Sequence, residues 1–153
     1  MRSLELVIPP PVVLLLVGIA MWVIAPYTTP LDAAVATRLW VSGVLAVIGF
    51  GIAGAGILAF RSARTTLNPM RPANSTTLVS RGIYRLSRNP IYLGDLILLA
   101  AWVVFLAAPW MIAGPAVFMA YMNRFQIVPE EQALMAKFGD AYVRYMAKVR
   151  RWL

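Results

Sequence analysis

The sequence predicts an all-α membrane protein with four transmembrane helices, and its composition and patterning both point to this fold class. Hydrophobic residues make up 61% of the 153 residues and charged residues only 13%, whereas a soluble chain is about 45–50% apolar and about 25% charged. The apolar residues also form four long stretches, which lack the alternation typical of β-barrel strands. A chain of this length forms at most one domain, so we expect residues 1–153 to fold as a single unit.

Each apolar stretch is close to the roughly 20 residues that a helix needs to cross a bilayer. The four predicted spans are residues 9–27, 39–60, 91–108 and 110–128. Pro109 and the pair Gly114–Pro115 mark a tight turn, so the last two spans should form an antiparallel hairpin. The first span has three prolines at its start and no small-residue cleavage site near its end. We therefore expect a retained helix rather than a cleaved signal peptide.

The distribution of basic residues predicts the orientation in the membrane. If both termini and the connection after the second span lie on one side, that side carries every Lys and Arg except Arg38. By the positive-inside bias both termini are then cytoplasmic, and a bacterial inner membrane is the expected location. The net charge of +8 follows from this topology and from attraction to anionic headgroups. We expect no nucleic-acid partner, because the basic residues directly flank the spans.

Two segments are longer than spanning requires. The connection 61–90 carries hydrophobic residues among its arginines, so we expect an ordered cytoplasmic loop. In the tail 129–153, apolar residues recur every three or four positions and basic residues occupy another face. This pattern predicts one amphipathic helix that lies at the cytoplasmic interface or folds back against the bundle.

The absence of Cys and His excludes disulfides, a cysteine nucleophile, imidazole acid–base chemistry and the usual zinc sites. We expect no metal. Any catalysis must use carboxylates, Arg, Lys, Tyr, amides, backbone groups or a cofactor that brings its own reactivity.

Two polar clusters lie where spans meet the cytoplasm. In the first, Asn89 is a good N-cap and Pro90 suits the first helical position. With Arg88 beside it, this helix start is either a well-capped terminus or an anion site. In the second, Glu130 and Glu131 follow Pro129 and read as the first turn of another helix, where they either stabilise the dipole or bind a ligand. The hairpin should bring the two clusters together, an arrangement that suits a zwitterion with an amine and a carboxylate.

Asp95 and Arg124 are the charges inside the last two spans, at matched depth near the cytoplasmic side. Charges there are costly unless they are paired or face a cavity, so we expect them to form an ion pair or to line one polar pocket. The second span contains Gly49, Gly51, Gly54 and Gly56. These glycines predict close helix packing, with approach of a ligand to the backbone as the alternative.

Three blocks of sequence resemble a known family. Residues 78–84 (LVSRGIY), residues 88–94 (RNPIYLG) and residues 130–134 (EEQAL), followed by Phe138–Gly139 and Tyr142, are similar to integral-membrane methyltransferases. These enzymes are related to isoprenylcysteine carboxyl methyltransferase and phospholipid N-methyltransferase. The likeness covers roughly residues 40–153, and about 61–153 would be the catalytic part.

The resemblance implies S-adenosylmethionine as the cofactor and a membrane lipid or an apolar small molecule as the methyl acceptor. It implies catalytic roles for Arg88, Glu131 and Arg124, and a substrate contact for Gln126. Asp95, as a charge inside the third span, is a further candidate for contact with the substrate. The cofactor-binding residues that it implies are Thr76, Thr77, Leu78, Val79, Tyr84, Asn89, Pro90, Ile91, Tyr92, Gly94 and Glu130. Oligomeric state is not predicted.

The sequence departs from the prenylcysteine enzymes at two positions. Where the prenylcysteine enzymes carry His, this sequence has Asn89, and phospholipid methyltransferases also have Asn at that position. Gln126 stands where the prenylcysteine enzymes have an Arg that holds the substrate carboxylate. The second change argues against a prenylcysteine acceptor, although Arg124 could substitute. Two alternatives stay open: a membrane reductase using NADPH, because residues 89–95 are also similar to a stretch of sterol C14 reductases, and a non-catalytic lipid-binding protein.

Overall fold

The computed structural model describes residues 5–63 and 77–153, and within these ranges the chain contains helices and no strands. The all-helical prediction is thus confirmed for the described residues. The described residues form six α-helices, which are α1 (Pro10–Ile24), α2 (Val35–Ser62), α3 (Pro90–Leu106), α4 (Ala113–Tyr121), α5 (Val128–Phe138) and α6 (Asp140–Lys148). Short 3₁₀ turns cover Ala25–Tyr27, Gly82–Arg85 and Pro109–Ile112, and a π-helical turn, Met122–Ile127, joins α4 to α5.

Two helical stretches of the described chain, Pro10–Tyr27 and Val35–Ser62, are long and apolar enough to cross a membrane. Their large side chains are mostly exposed: Leu15, Trp22, Trp40 and Val47 are all more than half accessible. An exposed surface of this kind is suited to lipid and not to water. The third predicted span corresponds to α3, which has 17 residues and is a shorter apolar helix. The count of four spans therefore remains a prediction.

Helix α2 packs along α3 through glycines. A Cβ atom built on Gly94 would lie 2.6 Å from the carbonyl oxygen of Gly49, and one built on Gly56 would lie 2.8 Å from Cγ1 of Ile91. Gly51 and Gly54 have open space in the direction of a side chain. The expected glycine packing face therefore consists of Gly49 and Gly56, and the other two glycines face away from α3.

On its other side α3 packs against α1 and α4. The shared core includes Val13, Met21, Leu99 and Phe118, and the indole N–H of Trp102 donates a hydrogen bond to the carbonyl of Gly18 (3.1 Å). This three-helix contact fixes the position of the beginning of α3 relative to the end of α4.

The tail differs from the single helix predicted over 129–153. Gly139, with φ of +50°, ends α5, and α6 starts directly afterwards; Val149 has an extended backbone, and residues 149–153 are not helical. A left-handed conformation at this position favours glycine and interrupts the helical hydrogen bonds. Of the predicted ordered loop, the structure describes residues 77–89, in which Tyr84 is buried and Leu86 is exposed.

Candidate functional site

Helix α5 begins at Val128 with Pro129, Glu130 and Glu131 in its first turn, so the predicted helix start is confirmed to within one residue. No loop precedes this start, because the chain continues from α4 through the π turn at Met122–Ile127 directly into α5. Proline lacks an N–H and cannot bond the carbonyl of Phe125 as an α-helix would require. The helix forms a wider π turn instead, in which the N–H of Val128 donates to the carbonyl of Asn123. The carbonyl of Phe125 accepts a hydrogen bond from the N–H of Leu6 (3.0 Å).

The beginning of α3 is fastened by the end of the chain. Pro90 occupies the first helical position, as predicted, but the side chain of Asn89 makes no cap hydrogen bond. Its amide Nδ2 donates instead to the carbonyl of Arg151 (2.9 Å), and the N–H of Arg88 donates to the carbonyl of Arg150 (3.0 Å). The extended segment after α6 thus lies directly against the loop that precedes α3.

Glu130 is the first of two carboxylates that α5 presents to α3. Its Oε1 accepts hydrogen bonds from the hydroxyl of Tyr92 (2.7 Å) and from the amide Nε2 of Gln126 (2.6 Å). Burial raises the pKa of Glu130 to about 7, against the lowering effect of these two hydrogen bonds. A carboxylate that resists ionisation when alone gains most from a cationic partner.

Glu131 binds two arginines. Its Oε1 lies 3.1 Å from Nη2 of Arg88, while Nη2 of Arg151 donates to Oε2 (2.7 Å) and Nε of Arg151 donates to Oε1 (3.1 Å). The side chains of Arg88 and Glu131 are each only 12% exposed, so this pair is shielded from water. The expected meeting of Arg88 with the acidic pair is therefore present, and it runs through Glu131.

A cluster of tyrosines lies beside these charges. The hydroxyl of Tyr145 donates to the carbonyl of Tyr84 (2.7 Å), and Phe60 of α2 meets the Tyr84 ring edge-on at 5.4 Å between centroids. Burial raises the pKa of Tyr145 to about 12, although nearby Arg88 lowers it, and burial also raises that of Tyr142, with Glu131 and Arg88 as the nearest charges. These tyrosines are neutral, and their rings are buried next to the ion pair.

The remaining residues expected to bind the cofactor are dispersed. Thr76 lies outside the described residues. Thr77 is exposed, whereas Leu78 and Val79 are partly buried, and Leu78 packs against Tyr142 and its neighbours. Ile91 and Gly94 face α2, so the structure gives both of them a role in helix packing.

Arg124 and Asp95 do not form the expected ion pair, and that prediction is wrong. Nη1 of Arg124 pairs with Oε1 of Glu5 at 2.9 Å, and the arginine side chain is 48% exposed. The guanidinium group of Arg124 also lies over the ring of Phe125. Glu5 is within reach of Arg124 because its neighbour Leu6 is hydrogen-bonded to the carbonyl of Phe125. Asp95 is partly buried in α3 and takes part in none of the ion pairs of the described chain.

Sequence reasoning missed Arg151 and the π turn. Arg151 lies 20 residues beyond Glu131, and no periodicity predicts that an extended segment brings it back. Pro129 could have indicated the turn, because a proline inside a helix leaves the carbonyl four residues before it without its helical hydrogen-bond donor. Gln126, which was expected to bind substrate, is buried and holds Glu130.

The assembled groups match a zwitterion. Glu130 supplies a carboxylate for an ammonium group, Arg88 supplies guanidinium hydrogen-bond donors for a carboxylate, and the tyrosines supply a surface for a flat ring. All of these lie at one end of the helices, next to the membrane-length segments.

The chain also matches known sequences. A family model described as phospholipid methyltransferase matches residues 37–141. An uncharacterised protein of Haemophilus influenzae is 46% identical over 63 residues, which are 41% of this chain and all of that protein. No solved structure matches. The family match covers α2 to α5 and both carboxylates, and the chain therefore belongs to the phospholipid methyltransferase family.

Proposed function

We propose that this membrane protein transfers a methyl group from S-adenosylmethionine to a lipid or another apolar acceptor. The membership in a methyltransferase family supports the reaction class. The observation that supports the cofactor is the contact of Arg88 with Glu131, next in sequence to the buried carboxylate of Glu130. In this proposal the reaction takes place at the cytoplasmic face of a bacterial inner membrane, with four spans and both termini on that side.

The residues present fit the amino-acid part of this cofactor. Within the described chain, Nε of Arg88 is buried and has no hydrogen-bond partner. A buried N–H without a partner is unfavourable, and a ligand carboxylate would satisfy it. Glu130 would accept the ammonium group, and Tyr84, Tyr142 and Tyr145 would contact the adenine ring.

The absence of Cys and His is compatible with this chemistry. When bound, S-adenosylmethionine supplies its own electrophile, a methyl group on a positively charged sulfur, so the protein needs no nucleophile of its own. The task of the chain is to hold the donor, align the acceptor with it and exclude water. Tyr92 and Gln126 fix the carboxylate of Glu130, and the ion pair fixes Arg88, so the residues that would hold the donor are themselves held.

The path for an apolar acceptor is supported by the helices that surround the site. A cleft of about 310 Å³ between α1 and α3 is lined by eight uncharged residues, Leu14, Leu15, Gly18, Ile19, Trp22, Leu98, Leu99 and Trp102. Leu15, Ile19 and Trp22 are also exposed on the lipid-facing side of α1. We propose that an acceptor enters from the bilayer on this side, whereas the polar donor enters from the aqueous phase.

Calorimetric titration of the purified protein with S-adenosylmethionine and with its demethylated product tests the cofactor assignment. We expect saturable binding by the wild-type protein and at least about tenfold weaker binding by Glu130→Gln, the loss of roughly one charge-assisted contact. Asp140→Asn is the matched control, since it removes a carboxylate from an exposed position and should bind normally. Unchanged affinity in Glu130→Gln would contradict the assignment of the site.

A transfer assay tests the reaction itself. Radiolabelled methyl from S-adenosylmethionine should appear in a lipid extract incubated with the wild-type protein. Binding without transfer would support the non-catalytic alternative. Displacement of S-adenosylmethionine by NADPH at lower concentration would support the reductase.

A further inference from the structure

The segment that follows α6 makes several polar contacts with the loop before α3. The carbonyl of Arg151 accepts hydrogen bonds from Nδ2 of Asn89 (2.9 Å) and from Oγ of Ser87 (3.3 Å). The indole N–H of Trp152 donates to Oδ1 of Asn123 (3.1 Å) in the π turn. Residues 150–152 therefore connect the two halves of the site, the beginning of α3 and the junction of α4 with α5.

The side chain of Arg151 has a separate role from this backbone contact. It donates to both oxygens of Glu131, whereas Nη2 of Arg88 lies 3.1 Å from Oε1. Two guanidinium groups on one carboxylate leave a local excess of positive charge. Because Arg151 already donates to both oxygens of Glu131, Arg88 has N–H groups left to bind another group. One of them, Nε, is buried and has no hydrogen-bond partner.

We propose that Arg151 is a positioning residue of this site: by binding Glu131 it leaves Arg88 oriented and available for the carboxylate of a zwitterionic ligand. The inference rests on the proposed function, because it assumes that the ligand is S-adenosylmethionine or its product. Without the Arg151 side chain, Arg88 is the remaining cation at Glu131 and turns toward both carboxylate oxygens. Its guanidinium is then neutralised by Glu131 and binds an incoming anion less strongly.

A purely mechanical role for the segment predicts a different result. If Arg151 serves only to hold the fold together, then its loss weakens every ligand of the site alike. If it positions Arg88, then its loss weakens only ligands that carry a carboxylate. The backbone contacts of Arg151 remain in a side-chain substitution, so the two roles can be separated.

The experiment compares two ligands with the full-length wild-type protein and Arg151→Gln. S-adenosylhomocysteine carries the amino-acid group, and methylthioadenosine keeps the nucleoside and the sulfur but lacks that group. We expect the Kd for S-adenosylhomocysteine to rise about tenfold, the effect of roughly one charge-assisted contact, and the Kd for methylthioadenosine to stay within about twofold. Arg144→Gln, which removes a positive charge from an exposed position on α6, should change neither value.

Arg151→Lys keeps the charge but loses the two-point grip. It should weaken S-adenosylhomocysteine less than Arg151→Gln does, and it is the deciding variant if Arg151→Gln does not fold. An equal loss for both ligands, or no loss for either, would overturn the positioning role while leaving the proposed function intact. Failure of the wild-type protein to bind either ligand would instead refute the proposed function, and the inference with it.

Discussion

Two features of Glu130 have opposite effects on the ionisation of its carboxyl group. It accepts two short hydrogen bonds, from Tyr92 and Gln126, which favour the ionised carboxylate, yet burial raises its pKa to about 7. Desolvation therefore outweighs the hydrogen bonds when no cation is present. A ligand ammonium group would supply the missing charge, so binding and ionisation of Glu130 should be linked.

This linkage predicts how affinity depends on pH. A cationic group binds the ionised form of Glu130, so the affinity for S-adenosylhomocysteine should rise by up to about tenfold per pH unit as the pH increases toward 7. It should then level off and fall above about pH 8, where an α-amino group loses its proton. Titration calorimetry between pH 5.5 and 8.5 measures this profile. In Glu130→Gln the rise below pH 7 should be absent; an identical rise in that variant would assign the proton to another group.

The same carboxylate predicts a gain in stability on substitution. Because the folded-state pKa of about 7 exceeds the usual value of 4.5, the free energy of unfolding contributed by this group is greatest below pH 4.5 and is lost as the pH rises to about 7. Glu130→Gln keeps an oxygen that accepts both hydrogen bonds and removes the buried charge. At pH 8 the variant should be more stable than the wild type by about 1–3 kcal/mol.

Thermal unfolding in one detergent at pH 5 and pH 8 tests this gain. The advantage of Glu130→Gln should shrink at pH 5, where the wild-type carboxyl is mostly protonated. A variant that unfolds earlier than the wild type at both pH values would show that the hydrogen bonds to the carboxylate outweigh the cost of burying its charge. Reduced affinity together with raised stability would identify Glu130 as a residue kept for binding.

The close packing of α2 against α3 places Phe60 of α2 in contact with the ring of Tyr84. The approach of the two helices depends on the absence of side chains at Gly49 and Gly94, where a Cβ on Gly94 would lie 2.6 Å from a backbone oxygen and 2.8 Å from Cβ of Ala53. Backbone atoms cannot yield as the end of a flexible side chain can. Any substitution at Gly94 must therefore separate the helices.

Gly94→Ala should lower the free energy of unfolding by about 1–3 kcal/mol, the usual cost of overpacking a close contact. Gly51→Ala is the matched control on the open face of α2, where alanine should be neutral or slightly stabilising because of its higher helix propensity. Thermal unfolding of both variants in detergent measures the difference. Equal stability of the two variants would show that α2 and α3 do not approach each other as described.

The π turn before α5 determines which residues point toward α3. A turn of this type contains more residues than an α-helical turn and shifts the register of everything that follows. Here it places Gln126 beside Glu130 and leaves the carbonyl of Phe125 to the N–H of Leu6. Pro129 prevents reversion to a regular α-helix, because it has no N–H with which to reclaim that carbonyl.

The topology of the whole chain is testable because it has no native cysteine. Asp32 and Lys148 are both exposed and lie in the predicted outer loop and cytoplasmic tail. A membrane-impermeant maleimide should label Asp32→Cys in intact cells, and it should label Lys148→Cys only after the membrane is opened. The reverse pattern, or labelling of both variants in intact cells, would contradict the proposed orientation.

The sequence predicted the helices well because hydropathy reports burial in lipid directly. Runs of apolar residues predicted α1, α2 and α3 to within a few residues, and Pro90 predicted the first turn of α3. Prediction was weaker for polar partners, since hydrogen bonds between distant residues leave no periodic signal. Arg124 was predicted to pair with Asp95 because the two lie at the same depth in the membrane. Its partner is instead Glu5, which is 119 positions away in the sequence.

The candidate site was predicted in outline only. Arg88, Glu130 and Glu131 were identified because each lies at a predicted helix start where a span meets the cytoplasm. The sequence also predicted that Arg88 would meet the acidic pair, but not that the contact runs through Glu131 with Arg151 as a second partner, because this depends on the register shift at the π turn and on the segment after α6. Gly94 and Ile91 fell within a sequence block associated with the cofactor, and the backbone places them against α2.

The attachment of residues 5 and 6 to the π turn has a consequence for biosynthesis. Arg124 is translated 119 residues after Glu5, which takes roughly 6–24 s at about 5–20 residues per second. During that interval α1 enters the bilayer while its docking point has not yet been made, and the carboxylate of Glu5 must be solvated by water or headgroups. The nascent chain thus inserts α1 first, and residues 5 and 6 dock only after the π turn has been synthesised.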